Sequence, residues 1–202
     1  MRKPLQLEPV TLDGRHVRLE PVEERHFAAL CEAGADPAIW AWYPLLLDQP
    51  ERMREHFDEA IAWQRQGKAL AFVQVDRASG RVAGATRLVI MSAPHYRAEV
   101  GWTWLNPAFQ RTAINTEAKY LLLTHAFETL NLLRVEFKTD ALNLASRRAL
   151  VRIGAVEEGT HRSHMITETG RIRDSAYFSV IERDWPAVKL RLEARLGRAD
   201  PA

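Results

Sequence analysis

Gln110 and Arg111 stand in a short polar loop between an apolar stretch and a helix start. A side-chain amide and a guanidinium suit an anion, and the first turn of a helix adds free backbone N–H groups and a partial positive charge. Residues 100–105 are typical of the preceding strand, and residues 116–130 of the following helix. A strand, a polar turn and a helix N-terminus together form a seat for phosphate or diphosphate. The alternative is a solvated turn before a core helix.

Composition indicates a soluble folded protein. The chain has 202 residues, of which 47% are hydrophobic and 27% charged, so one domain covering residues 1–202 is expected. The net charge of +2 gives no reason to expect nucleic-acid binding. Cys31 is the one cysteine, which excludes an intrachain disulfide and favours a reducing compartment. No secretory signal or membrane-spanning apolar run is visible, so a cytoplasmic location without membrane association is expected.

Hydrophobic periodicity and turn residues divide the chain into alternating helices and strands. They predict an α+β fold, with a mixed, mostly antiparallel sheet of about seven strands and helices on both faces. The core is expected over about residues 11–185, followed by a C-terminal helix. The predicted strands are 16–20, 69–76, 81–91, 98–105, 134–139, 156–165 and 172–181, and the predicted helices are 23–33, 48–66, 116–130, 143–153 and 186–196.

Three segments in this order carry a family resemblance: residues 99–105 (EVGWTWL), residues 110–118 (QRTAINTEA) and residues 140–154, which begin DALNLAS. The chain resembles the GNAT superfamily of acyl-CoA N-acyltransferases. It is most similar to the RimJ/RimL-like subgroup, which includes ribosomal-protein N-terminal acetyltransferases. The similarity spans roughly residues 11–185. It implies a GNAT-like sheet with splayed central strands, and an acyltransferase using acetyl-CoA or a related acyl-CoA as cosubstrate.

The anion loop departs from the family pattern Gln/Arg-x-x-Gly-x-Gly/Ala at two positions. Ala113 stands at the first small position and Asn115 at the second. A positive φ at residue 113 would strain alanine, whereas a helical residue 113 would accept it. The helical alternative is favoured, with Asn115 as the helix cap.

The resemblance implies a set of cofactor-binding residues. The pantetheine arm would enter the gap between residues 103–105 and residues 135–139, and Asn143 would cap its helix and bond the pantetheine amide. Gln110 occupies the first motif position and Arg111 adds charge. The strand residues are Thr103, Trp104 and Leu105, and the diphosphate would take N–H donors from Arg111, Thr112, Ala113, Ile114, Asn115 and Thr116.

The resemblance also suggests catalytic groups for attack by a neutral amine. Glu99 is the candidate base, acting through water, and its alternative is a strand-edge charge paired with Arg97 or Arg134. Ser146 is the candidate proton donor to the CoA thiolate, and its alternative is helix capping. Tyr177 is a second candidate donor, although a strand tyrosine more often packs.

The acceptor is predicted to be the α-amine of a protein or peptide. Deprotonating an α-amine of pKa about 8 at neutral pH costs about 1–1.5 kcal/mol, against about 4–5 kcal/mol for a lysine amine. A small amine such as a polyamine, amino acid or aminoglycoside is the alternative acceptor, and a non-catalytic CoA-binding module is the alternative class. An aromatic loop containing Trp40, Trp42 and Tyr43 could shape the acceptor pocket, or simply anchor the loop in the core.

No metal site is predicted. His161 and His164 are three residues apart in a predicted strand, which would place them on opposite faces. A homodimer is suggested by family analogy alone.

Overall fold

The sheet has eight strands among residues 4–198, which are the residues that the computed structural model describes. The strand order is β1-β2-β3-β4-β5-β6-β8-β7, and every neighbouring pair is antiparallel except the parallel pair β5–β6. The strands are β1 Leu12–Asp13, β2 Val17–Pro21, β3 Ala69–Asp76, β4 Val82–Ser92, β5 Arg97–Leu105, β6 Arg134–Asp140, β7 Val156–Ile166 and β8 Ile172–Ile181.

Five α-helices connect or flank the strands in the described part of the chain. Among residues 4–198, no helix is both long enough and apolar enough to cross a membrane. The helices are α1 Phe27–Gly34, α2 Pro50–Arg65, α3 Ala113–Thr124, α4 Leu144–Ile153 and α5 Trp185–Arg195.

Two apolar layers form because the helices present apolar stripes to opposite faces of the sheet. Leu122 of α3, Leu150 of α4 and Leu192 of α5 join one buried cluster. Met53 and Phe57 of α2 join the other. Burying each such side chain contributes about 1.5–3 kcal/mol. The predicted arrangement, an α+β sheet with helices on both faces, is confirmed.

The central strands β5 and β6 separate after a short paired stretch. Their last paired residues are Glu99 and Glu136, so residues 100–105 diverge from residues 137–140. The register between β4 and β5 also shifts near this point, and Trp102 has a φ of 51°. A bulge of this kind bends a strand and strengthens its twist. The result is a gap between β5 and β6, as the family resemblance predicts.

Two elements differ from the sequence prediction. β1 is an additional eighth strand, and its two residues are too few to show an alternating pattern. α3 begins at Ala113 rather than near residue 116, because Thr112 caps the helix. The α-helix then changes at its C-terminal end into a π-turn over His125–Thr129.

Candidate active site

The loop before α3 ends in an ordered helix N-terminus. The Thr112 hydroxyl accepts a hydrogen bond from the Ile114 N–H at 3.3 Å and donates one to the Phe109 carbonyl at 2.7 Å. The Gln110 side chain donates to the Leu105 carbonyl at 3.1 Å, so it fastens the loop to the end of β5. The first turn of α3 keeps backbone N–H groups without intrahelical acceptors. This geometry suits an anion.

The two departures from the family pattern have different outcomes. Ala113 is the first helical residue, so its methyl group causes no backbone strain, as expected. The predicted cap at Asn115 is wrong, because Thr112 holds that position. The Asn115 side-chain oxygen is buried and has no hydrogen-bond partner among residues 4–198. The residue of this loop that has a positive φ is Arg111, at 60°, rather than Ala113, and Arg111 is exposed. Thr116 follows in the first turn, partly buried.

Glu117 fixes the start of α3 against the N-terminal part of the chain. Its carboxylate accepts hydrogen bonds from the backbone N–H groups of Arg15, His16 and Val17, and it pairs with Arg198. Burial would raise the pKa of Glu117, but these donors outweigh burial and lower it. A Cβ at Gly14 would lie 2.4 Å from the same carboxylate, so only glycine fits there. The helix start is therefore rigidly placed.

The predicted pantetheine strand lies beyond the paired part of β5. Thr103, Trp104 and Leu105 all follow Glu99, the last β5 residue that pairs with β6. Trp104 packs into the cluster beneath α1 and α2, and Leu105 into the cluster beneath α3. The Thr103 hydroxyl receives a hydrogen bond from Lys119 at 2.9 Å. These side chains therefore anchor residues 103–105 on both faces of the sheet. The backbone edge of the same residues that faces β6 does not pair with β6.

α4 begins and ends where the sequence predicts. The Asn143 side chain caps it by accepting from the Ser146 N–H at 3.0 Å, and Gly154 ends it with a φ of 101°. The cap uses the oxygen of the Asn143 amide, and its Nδ2 donors take no part in it. Ser146 is partly buried in the first turn. The cap therefore uses the Asn143 oxygen and the Ser146 backbone N–H, and it leaves the Asn143 Nδ2 group and the Ser146 hydroxyl for other contacts.

Glu99 lies at the point where β5 and β6 part. Only 4% of it is exposed, and its carboxylate is 3.5 Å from the Lys138 ammonium of β6. The alternative pairing with Arg97 or Arg134 is wrong, because both of these contact Glu136. Burial raises the pKa of Glu99, and the charge of Lys138 works against that rise. A raised pKa suits a group that takes a proton near neutral pH.

Tyr177 of β8 faces the same side of the sheet as Glu99. It lies directly opposite Lys138 in the β6–β8 register. Its hydroxyl is 3.2 Å from His164 Nε2, and His164 Nδ1 is 2.9 Å from the Ser175 hydroxyl. Burial raises the pKa of Tyr177, and the nearby Glu99 charge raises it further. Glu99, Lys138 and Tyr177 thus form a polar group across three adjacent strands.

His161 and His164 do not point to opposite faces, so that expectation is wrong. The β7–β8 register shifts between His161 and Met165, and Ser163 has a φ of 48°. The irregularity turns both rings to one side, with ring centroids 5.7 Å apart, and the His161 ring lies 4.2 Å from that of Tyr177. Within residues 4–198, no group of three His, Cys, Asp or Glu side chains has the geometry of a metal site.

The aromatic loop is partly core and partly surface. Trp40 is buried and donates its indole N–H to the Gly34 carbonyl at 2.9 Å, so this residue anchors the loop in the core. Trp42 is 41% exposed, with the Arg171 guanidinium 5.5 Å from its ring. The Glu168 carboxylate accepts from the Leu46 N–H at 2.6 Å. The loop is therefore fastened to the β7–β8 turn.

Sequence reasoning missed several residues of this region. Lys138 alternates with Glu136 in β6, a spacing that places both on one face, but the sequence could not show that this face meets Glu99. Lys119 stands among the apolar residues Ala118 and Leu122 on the buried side of α3, which was a visible signal. Arg173 is buried near Asp140. No sequence pattern marked it.

Comparisons with known proteins identify the family. The acetyltransferase (GNAT) domain family matches residues 16–156. YdaF of Bacillus subtilis (strain 168), itself a proposed ribosomal N-acetyltransferase, is 32% identical over 128 residues, which are 63% of this chain and 69% of YdaF.

Two solved structures share the fold. A GCN5-related N-acetyltransferase from Brucella melitensis has 30% identity and a TM-score of 0.85, covering 95% of this chain and 88% of its own. Mycobacterium smegmatis RimJ, solved with CoA-disulfide, has 23% identity and a TM-score of 0.78, covering 99% and 96%.

These matches confirm both the family and the RimJ/RimL-like subgroup predicted from the sequence. They agree with the architecture of the cleft: a helix that begins directly after the loop from β5, a gap between two central strands, and a buried carboxylate where the strands part. This chain therefore belongs to the GNAT family and is an acyl-CoA-dependent N-acyltransferase.

Proposed function

We propose that this protein moves an acetyl group from acetyl-CoA to the α-amine of a protein or peptide N-terminus, by direct attack in a ternary complex in the cytoplasm. One observation carries the proposal. The gap between β5 and β6 begins at the buried Glu99 carboxylate, and the β5 edge that borders it ends at the loop leading into the first turn of α3. The name of the YdaF relative supports a ribosomal protein as acceptor. A homodimer stays a prediction from family analogy.

The residues of the seat fit the diphosphate of the cofactor. The free N–H groups in the first turn of α3 provide donors and a favourable dipole. The side-chain amide of Asn115, partly buried in the same turn, would donate to the diphosphate through its Nδ2 group. Arg111 adds a positive charge at the exposed turn. The residues proposed for the diphosphate are Arg111, Thr112, Ala113, Ile114, Asn115 and Thr116, and Gln110 supports this cofactor loop through its hydrogen bond to the Leu105 carbonyl.

The gap fits the pantetheine arm. The β5 edge at Thr103, Trp104 and Leu105 can pair with an extended amide chain as a further strand would. On the other side, the Nδ2 donors of Asn143 are not used by the helix cap. Ser146 lies in the same first turn of α4, three residues after Asn143, and is proposed to contact the same arm of the cofactor.

The acetyl transfer forms a nitrogen–carbon bond and breaks the carbon–sulfur bond of the thioester. The acceptor amine loses a proton, which Glu99 takes through water, and the departing thiolate receives one from Ser146. Tyr177 is the alternative donor, because it lies on the same side of the sheet as Glu99. Such a base and acid contribute about 10²–10⁴-fold each, and orientation in the cleft contributes more. An α-amine needs only this modest help.

A thiol-release assay across acceptors tests the proposal. Peptides with free N-termini, the same peptides with blocked N-termini, polyamines and aminoglycosides are compared at equal concentration. We expect release with free α-amines and none with the blocked peptides. Faster release with polyamines would replace the proposed acceptor, and no release or binding with millimolar acetyl-CoA would reject the acetyl-transfer proposal.

A further inference from the structure

Lys119 is a buried lysine without a counter-charge. Only 5% of it is exposed, and its side-chain nitrogen donates a hydrogen bond to the Thr103 hydroxyl at 2.9 Å. Among residues 4–198, it forms no ion pair with a carboxylate. Burial lowers the pKa of Lys119 to about 7, and burial is the only cause. A lysine buried this deeply needs a negative partner to carry its charge, supplied either by the protein or by a bound ligand.

Lys119 is tied to the irregular part of β5. The Thr103 hydroxyl that it contacts is also 2.8 Å from the Thr86 hydroxyl, and 3.4 Å from the Gly101 carbonyl. These groups sit where the β4–β5 register shifts. The side chain therefore reaches from α3 to the strand segment that borders the gap.

The same helix carries the anion seat one turn away. Asn115 precedes Lys119 by four residues, so both lie on one face of α3, about 6 Å apart along the axis. The buried Asn115 oxygen has no partner among the described residues. Both side chains therefore lie on the helix face that leads from the first turn of α3 to β5.

The charged groups of the surrounding elements are engaged elsewhere. Glu117 on α3 binds the backbone of residues 15–17 and Arg198. Glu193 of α5 accepts from Tyr120. Within the described part of the chain, the strands on this side of α3 contribute no charged group: β4 and β5 contribute the hydroxyls of Thr86 and Thr103. β2 contributes apolar side chains to the buried cluster beneath α3. No ionised side chain of residues 4–198 contributes to the pKa of Lys119.

We infer that cofactor binding places a proton on Lys119, so that its ammonium becomes the buried counter-charge of the diphosphate and holds Thr103 at the gap. The inference rests on the proposed cofactor site and extends it to a residue outside the binding loop. Charges that interact through a protein interior are screened weakly, so an anion about 10 Å away still favours the ammonium form. Lys119 is thus a positioning residue of the cofactor cleft.

Calorimetry in buffers of different ionisation enthalpy measures the linked proton. Acetyl-CoA is titrated at pH 8 into the wild type, Lys119→Met, and Lys189→Met as a matched change on α5, where Lys189 pairs with Glu128. We expect the wild type and Lys189→Met to take up about 0.5–0.9 proton per cofactor. Lys119→Met should take up at least about 0.5 proton less and bind about tenfold more weakly.

Kinetics and a direct probe separate this role from a structural one. Lys119→Met should raise KM for acetyl-CoA about tenfold and leave kcat within about twofold. If Lys119→Met does not fold, the Cε chemical shift of ¹³C-labelled Lys119 in the wild type is followed with and without acetyl-CoA, and it should move to the ammonium value on binding. Equal proton uptake by wild type and Lys119→Met, or an unmoved shift with saturating cofactor, would overturn the inference while leaving the cofactor site intact. Absence of binding by every variant would contradict the proposed function, and the inference with it.

Discussion

The Glu99 carboxylate lies 3.5 Å from the Lys138 ammonium, at the point where β5 and β6 part. Burial raises the pKa of Glu99 and Lys138 opposes that rise. Glu136 raises it further, and Arg173 lowers it. Lys138 therefore helps determine how much of Glu99 is ionised and able to take a proton.

Replacing Lys138 should move the pH dependence of the reaction. Without the ammonium, the pKa of Glu99 rises further, so the base form is lost at a higher pH. In Lys138→Met, the acidic limb of kcat/KM against pH should shift upward by about one pH unit, and Lys138→Arg should remain near the wild type. Lys68→Met, a change at an exposed lysine, is the control. An unshifted limb would show that Lys138 does not act on the base.

Glu99→Gln should lower kcat by about 10²-fold or more and leave the affinity for acetyl-CoA nearly unchanged. The acidic limb of the rate profile should disappear with the titrating group. Gly101→Ala offers a second test, because its new Cβ would lie 2.7 Å from the Glu99 carboxylate and displace it. A Glu99→Gln enzyme with the wild-type profile would assign the base to another group.

Ser146→Ala should reduce kcat about tenfold or more, with an unchanged dissociation constant for acetyl-CoA. The Asn143 cap survives this change, because it uses the backbone N–H of residue 146. Tyr177→Phe is compared in the same assay, since its hydroxyl meets His164 and lies on the Glu99 side. If turnover drops only in Tyr177→Phe, the proton donor is Tyr177.

Lys119→Met should stabilise the protein, most strongly at low pH. The pKa of Lys119 is about 7 in the folded state, below its ordinary value of 10.5. The unfolded chain therefore binds more protons between these values, and wild-type stability rises with pH across this window. Urea unfolding should show a gain of about 1–3 kcal/mol at pH 6, after allowing for the lost Thr103 hydrogen bond, that shrinks toward pH 10. A pH-independent difference would mean that Lys119 is charged in the folded protein.

The parts of the fold predicted from sequence are those with local signals. Asn143 and Gly154 bracket α4 because an N-cap amide and a left-handed glycine are required at those places. The start of α3 was placed too late because two residues, Thr112 and Asn115, both have cap-forming side chains. Only the tertiary position of the loop decides between them.

The site could be predicted less fully, because its contacts cross strands. Glu99 meets Lys138, rather than Arg97 or Arg134, through the parallel register of β5 and β6, which no local pattern encodes. His164 reaches Tyr177 only because of the irregularity near Ser163. A bulge that adds a residue reverses which face the next side chains occupy.

The central claim is that a nucleotide thioester binds with its diphosphate on the first turn of α3 and its pantetheine arm between β5 and β6. A crystal structure with CoA tests it most directly. We expect diphosphate density against the N–H groups of residues 113–116, with the thiol near Glu99 and Ser146. Density for the cofactor at another surface, or a gap closed by continued pairing of β5 and β6, would contradict the account.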